Sequence, residues 1–104
     1  MVIIFKSERA RKYLLKNGFV FTIRTKKRKT GKDWMTHKRR GKKICDVIVE
    51  LWREIPTEVA FPYLNNYVNR SGYLTVSDWL DEVLKLNNLK ELPATIYLYR
   101  VMKM

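Results

Sequence analysis

Apolar and polar positions recur along this chain with enough regularity to predict most of its elements. Val2–Phe5 is a short apolar run and predicts a strand. Ala10, Tyr13 and Leu14 then recur at i, i+3 and i+4, which predicts an amphipathic helix over residues 8–16 with Arg9, Lys12 and Lys16 on its polar face. Ser7 suits the N-cap of that helix, and Gly18 suits the position just past its end. Phe19–Arg24 (FVFTIR) is β-branched and aromatic, hence a strand. Phe19, Phe21 and Ile23 share one face of it; Val20, Thr22 and Arg24 share the other. In Ile44–Glu54, Cys45, Val47, Val49 and Leu51 alternate with Ile44, Asp46, Ile48, Glu50 and Trp52, which predicts a long strand with its first set in the core.

Thr57–Asn69 has helical content, but Pro62 interrupts it, so a short helix or a turn is expected there. Val76, Trp79, Leu80, Val83 and Leu84 give the strongest helical signal in the chain, with Thr75 as its cap and Asp78 three residues on. Asn87-Asn88 ends that helix, and Ala94–Met102 (ATIYLYRVM) reads as a final strand. Between the second and third strands lies Arg24–Lys43, which shows no apolar periodicity. It reads either as a hairpin tip around Thr30-Gly31-Lys32 with a turn at Gly41, or as a flexible loop.

Strands not regularly alternated with helices argue for an α+β domain, here a small, partly closed β-barrel with flanking helices. The 104 residues suffice for one domain, spanning 1–104, and 46% hydrophobic content suffices for its core. No apolar stretch approaches the roughly 20 residues of a membrane span. Cys45 is alone, which excludes an intrachain disulfide and reads as a buried, inert thiol. A soluble, cytoplasmic protein is the expectation.

Charge changes the picture more than composition does. Residues 24–43 hold eleven Lys and Arg against one acid, Asp33, so this stretch carries a net +10 of the chain's +12. The cations are Arg24, Lys26, Lys27, Arg28, Lys29, Lys32, Lys38, Arg39, Arg40, Lys42 and Lys43. Charge so concentrated repels itself and points to a polyanionic partner, since surfaces built only for solubility intersperse both signs. Trp34 lies among the cations and could stack on an unpaired base. Arg24 ends a strand, which would hold its planar fork in a fixed direction. His37, set among cations, reads as a solvated loop residue. One His and one Cys make no zinc cluster, the acids form no dyad, and no glycine-rich phosphate loop is present, so no cofactor is expected.

Several motifs resemble those of ASCH domains in the PUA-like superfamily. Leu14-Leu15-Lys16-Asn17-Gly18 followed by Thr22-Ile23-Arg24 resembles the family's opening L-x-x-G-x-K-x-x-T-x-R. Gly41–Val47 (GKKICDV) is similar to its G-D-x-x-x-V entry into the next strand. Ser71-Gly72-Tyr73, then Ser77-Asp78-Trp79-Leu80, resembles its E-G-F-x-S-x-x-E-F/W helix start. The resemblance implies a small β-barrel whose cleft faces RNA or a modified nucleoside, with Thr22 and Arg24 lining it. Some relatives are amidohydrolases acting on acetylated cytidine through a Lys, a Thr and a Glu. Here the Thr falls on Thr22, the Lys on Phe19 or Val20, and the Glu at or near Ser71, so two of the three residue types are unmatched. The leading expectation is therefore a binding module for RNA or another nucleic acid, using residues 24–43 with Thr22. A hydrolase of a modified nucleoside and a basic loop docking an acidic protein are the alternatives.

Overall fold

A computed structural model of the chain describes residues 2–104. Its strands are β1 (Val2–Ile4), β2 (Phe19–Arg24), β3 (Gly31–Thr36), β4 (Cys45–Pro56) and β5 (Thr95–Lys103). Its helices are α1 (Glu8–Asn17), α2 (Thr57–Leu64) and α3 (Val76–Leu86), with a single 3-10 turn at Val68–Arg70. The five strands form one mixed sheet in the order β1-β3-β4-β5-β2, curled into a half-barrel. β1 runs parallel to β3, and every other neighbouring pair is antiparallel.

Both faces of the sheet carry core, which explains the unbroken apolar runs in β2 and β5. On the inner face Val20, Met35, Val47, Val49, Tyr99 and Val101 pack with Ile3 and Phe5 against Ala10 and Leu14 of α1. On the outer face Phe21, Ile23, Ile55, Ile96 and Leu98 pack against Ala60 and Leu64 of α2 and Val76, Trp79 and Val83 of α3. β4 serves both cores because its register slips between Leu51 and Arg53. Ahead of the bulge Val47 and Val49 face inward; beyond it Ile55 joins the outer core.

The helices begin and end where their side chains dictate. The Ser7 hydroxyl accepts from the Ala10 N–H at 3.2 Å, and Gly18, at φ 85°, donates its N–H to the Leu14 carbonyl at 2.8 Å. The Thr75 hydroxyl accepts from the Asp78 N–H at 3.1 Å and starts α3. The stretch left open between helix and turn is α2, which holds Pro62 within its eight residues, followed by the 3-10 turn. Just ahead of α3 the chain passes backbone to backbone against α1. Gly72 sits there at φ 90°, and a Cβ on it would lie 2.5 Å from the Arg9 carbonyl oxygen. The Ser7 and Tyr73 hydroxyls are hydrogen-bonded at the same junction.

β3 corrects the expected loop. Gly31 and Lys32 open a strand in place of a hairpin tip, and the chain has five strands where the apolar pattern gives four. Its polar residues are accommodated individually. The Asp33 carboxylate accepts from Arg28 Nη2 at 2.5 Å and from the Trp34 N–H at 2.9 Å. Thr36, 1% exposed, donates its hydroxyl hydrogen to the Lys38 carbonyl at 3.2 Å. No helix among the described residues is long and apolar enough to cross a membrane.

Candidate nucleic-acid interface

β3 divides the basic segment in two. Residues 25–30 enter the strand at one end and residues 37–44 leave it at the other. Six residues of strand separate the two loops by about 17 Å. The cations of this basic strip thus cluster at the two ends of β3, with Lys32 exposed on the strand itself.

In the first loop Lys26 and Lys29 are exposed, while Lys27 pairs with Glu54 at 3.1 Å in solvent. Arg28 turns inward instead. Its guanidinium meets Asp33 at 2.5 Å, with side chains 15% and 4% exposed. Its backbone N–H donates to the Tyr99 hydroxyl at 2.7 Å, and that hydroxyl donates back to the Arg28 carbonyl at 3.3 Å. Arg28 is therefore an anchor that ties the loop into the inner core.

The second loop is a built turn. The Gly41 N–H donates to the Lys38 carbonyl at 2.9 Å, closing a four-residue turn over Arg39 and Arg40. Arg40 adopts φ 61°, a left-handed conformation that an arginine enters at a cost. Gly41 has no room for a side chain, because a Cβ would lie 2.3 Å from Thr36 Oγ1 and 2.9 Å from the Lys38 carbonyl oxygen. The turn holds Lys38, Arg39 and Arg40 out in solvent with Lys42 beside them, and Lys43 pairs with Asp46 at 2.7 Å. His37 is exposed at its base, as expected. Cys45 opens β4 half-buried rather than buried as expected, and desolvation pushes its thiol pKa up.

Trp34 stands half-buried on β3, on the opposite face from the buried Met35. Thr22 and Arg24 lie elsewhere, in a cleft of about 240 Å³ between the start of α1, β2 and α3. Thr22 is 8% exposed. Arg24 bridges the two edge strands of the half-barrel, where no strand pairing closes it. Its Nη2 donates to the Ile4 carbonyl at 3.2 Å, and its guanidinium carbon lies 5.2 Å from the centre of the Phe5 ring. Nε of Arg24 is buried without a hydrogen-bond partner. Burial, with a smaller contribution from the neighbouring Arg28 charge, pushes its pKa down to about 10. The cleft also takes in Lys6, Ser7, Tyr73, Glu82 and Asn87, none of which the sequence marks as a site residue. They come from three distant stretches, and only the packing of α3 against β2 joins them.

An arginine so placed lowers stability. Desolvating this half-buried charge, which has no acid partner among the described residues, costs several kcal/mol, against about 1.5–3 kcal/mol for the charge-assisted bond to the Ile4 carbonyl. Arg24→Met keeps the packing on Phe5, and a higher melting temperature than wild type is expected by calorimetry; a lower one would show that the bridge outweighs the burial. The pH dependence has a definite sign. With the folded pKa about 10 and the unfolded one well above it, both states hold the proton below pH 10. Arg24 adds no pH slope there, and stability gains from it only as pH rises above 10.

Among the described residues no group of His, Cys, Asp and Glu could hold a metal ion. Comparison with protein families, with curated proteins and with solved structures finds no match to this chain, so its site is read from geometry and charge alone.

Proposed function

We propose that this protein is a nucleic-acid-binding module, with RNA as its partner, of the PUA-like ASCH type its motifs resemble. One observation carries the reading. Lys26, Lys29, Lys32, Lys38, Arg39, Arg40 and Lys42 are all exposed, and none makes an ion pair among the described residues. Seven unneutralised cations on β3 and the loops at its two ends suit a run of phosphates, whose condensed counterions are released on contact. The turn at Lys38–Gly41 adds a fixed arrangement, and Arg40 in a left-handed conformation fits a position retained for its charge. Thr22 and Arg24 line a cleft whose polar groups suit a nucleoside, which supports the reading.

The hydrolase alternative has weaker support. Phe19, where the family's lysine would fall, lies on the opposite face of β2 from Thr22. Ser71, where its glutamate would fall, is fully buried and bonds the Val68 carbonyl and the Tyr73 N–H. Docking of an acidic protein would use the same cations, and competition between RNA and such a partner separates the two.

The test is a salt series of RNA affinity by fluorescence anisotropy. Each phosphate contact contributes about −0.7 to the slope of log K against log salt for a single strand, so engagement of most of the seven cations gives a slope of roughly −3 to −5. Affinity that holds constant between low and moderate salt would remove the reading.

A further inference from the structure

The outer face of the sheet is only partly covered. α2 and α3 lie over its Ile55, Ile96 and Leu98 end. Beyond them the strand registers assemble a transverse row. Lys32 of β3 pairs with Ile48 of β4, Ile48 with Met102 of β5, and Met102 with Phe19 of β2. Residues paired directly across strands share a face, so these four side chains stand in line. Ile48, Met102 and Phe19 are half-buried, and Trp34 flanks the row on the same face of β3.

At the β2 end the row opens into a shallow groove of about 450 Å³, lined by Phe19, Trp52, Arg70 and Arg100 among others. Its cations lie on its rings: Arg70 is 5.4 Å from the centre of Phe21, and Arg100 is 4.8 Å from that of Trp52. The acids of this face are neutralised, Asp46 by Lys43 at 2.7 Å and Glu50 by Arg100 at 2.9 Å. Among the described residues Lys32 and Arg70 make no ion pair, and they leave the face net positive.

We infer that this face binds the unpaired bases of a single-stranded nucleic acid, laid across the strands from Trp34 to Phe19 and Trp52. The inference rests on the nucleic-acid reading above and adds a second surface to it, the outer sheet face, which adjoins the basic strip at Lys32 and lies apart from the Thr22 cleft. Flat aromatic and apolar side chains can be reached only by bases free of a duplex stack, and guanidinium planes serve as stacking surfaces too. Lys32 at one end of the row and Arg70 at the other are placed for the phosphates. Four strands span about 14 Å, room for two or three bases.

The experiment uses a dodecamer of uridine carrying 4-thiouridine, alongside a 12-base-pair RNA duplex. Photocrosslinks are expected in the peptides holding Phe19, Trp34 or Trp52. Arg70→Glu and Met102→Glu are each expected to weaken binding of the dodecamer about tenfold and to leave duplex binding unchanged. Arg70 is exposed and lies outside the basic strip, so its variant keeps the test valid should Met102→Glu disturb the fold. Crosslinks confined to residues 37–44, with both variants binding as wild type, would overturn the inference and leave the basic strip standing. A wild-type dimer that Met102→Glu dissociates would assign the face to a second copy of the chain and overturn it as well. Failure of the wild type to bind any RNA would overturn both readings together.

Discussion

Reversing Lys38, Arg39 and Arg40 to glutamate is expected to weaken RNA binding at least about a hundredfold near physiological salt. The three side chains are exposed, make no ion pair, and sit on one closed turn, so a phosphate that meets one of them meets its neighbours. A hydrogen bond to a charged group contributes about 1.5–3 kcal/mol, and even after screening the loss of three such contacts exceeds the roughly 2.7 kcal/mol of a hundredfold change. The three new anions add repulsion. The slope of log K against log salt should also fall in magnitude by about 2 to 3. Nothing in the fold depends on these side chains, and removing like charge relieves self-repulsion, so the melting temperature should hold or rise. Anisotropy across a salt series, paired with a thermal melt, reads both. Binding undiminished in a folded variant would place the phosphate contacts somewhere other than this turn.

Gly72→Ala is expected to have the largest effect on stability, about 3 kcal/mol or more. The residue adopts φ 90°, where an L side chain is strained by roughly 1–2 kcal/mol. The added Cβ would also meet the Arg9 carbonyl at 2.5 Å for its oxygen and 2.8 Å for its carbon. Those atoms belong to the first turn of α1, so the whole helix must shift, and its packing through Ala10 and Leu14 on the inner core shifts with it. At roughly 4 °C or more per kcal/mol for a domain of this size, the melting temperature should drop by about 12 °C or more. Urea denaturation gives the same quantity independently. A loss of only a degree or two would mean that α1 and the 71–75 loop do not approach as closely as described.

What could be read from the residues follows from which features are local. α1 and α3 carry their own caps, in Ser7, Gly18 and Thr75, and their own apolar stripes. β2 and β5 are apolar on both faces, and a helix lies over each face to receive them. β3 was hidden because its signals are not local. Lys32, Asp33, Trp34 and Thr36 read as polar loop, and Asp33 enters the inner face only because Arg28 comes with it. The bulge in β4 likewise breaks an alternation that holds as far as Leu51, and nothing in CDVIVELWRE announces it. For the site, the sequence marked the cations, Trp34 and the Thr22-x-Arg24 pair. It could not tell that Arg28 serves the interior, that the strip has two ends, or that Lys6, Tyr73 and Glu82 meet Arg24 across the cleft. Those facts are set by β1 pairing with β3 and by α3 packing on β2, contacts between stretches far apart in the chain.

The same strand order bears on how the molecule assembles. Among the described strands only β3 and β4 are both partners in the sheet and joined by a short connection, the one that carries Lys38–Gly41. Phe19 must find Met102 near the far end of the chain, and such distant pairing places refolding in the range of about milliseconds to seconds. The first hairpin to close is then the most densely charged one, and its closure brings like charges together before the apolar core exists to oppose them. Moderate salt should speed refolding, and a polyanion present during synthesis would act in the same direction, drawing the two strands together around its own charge.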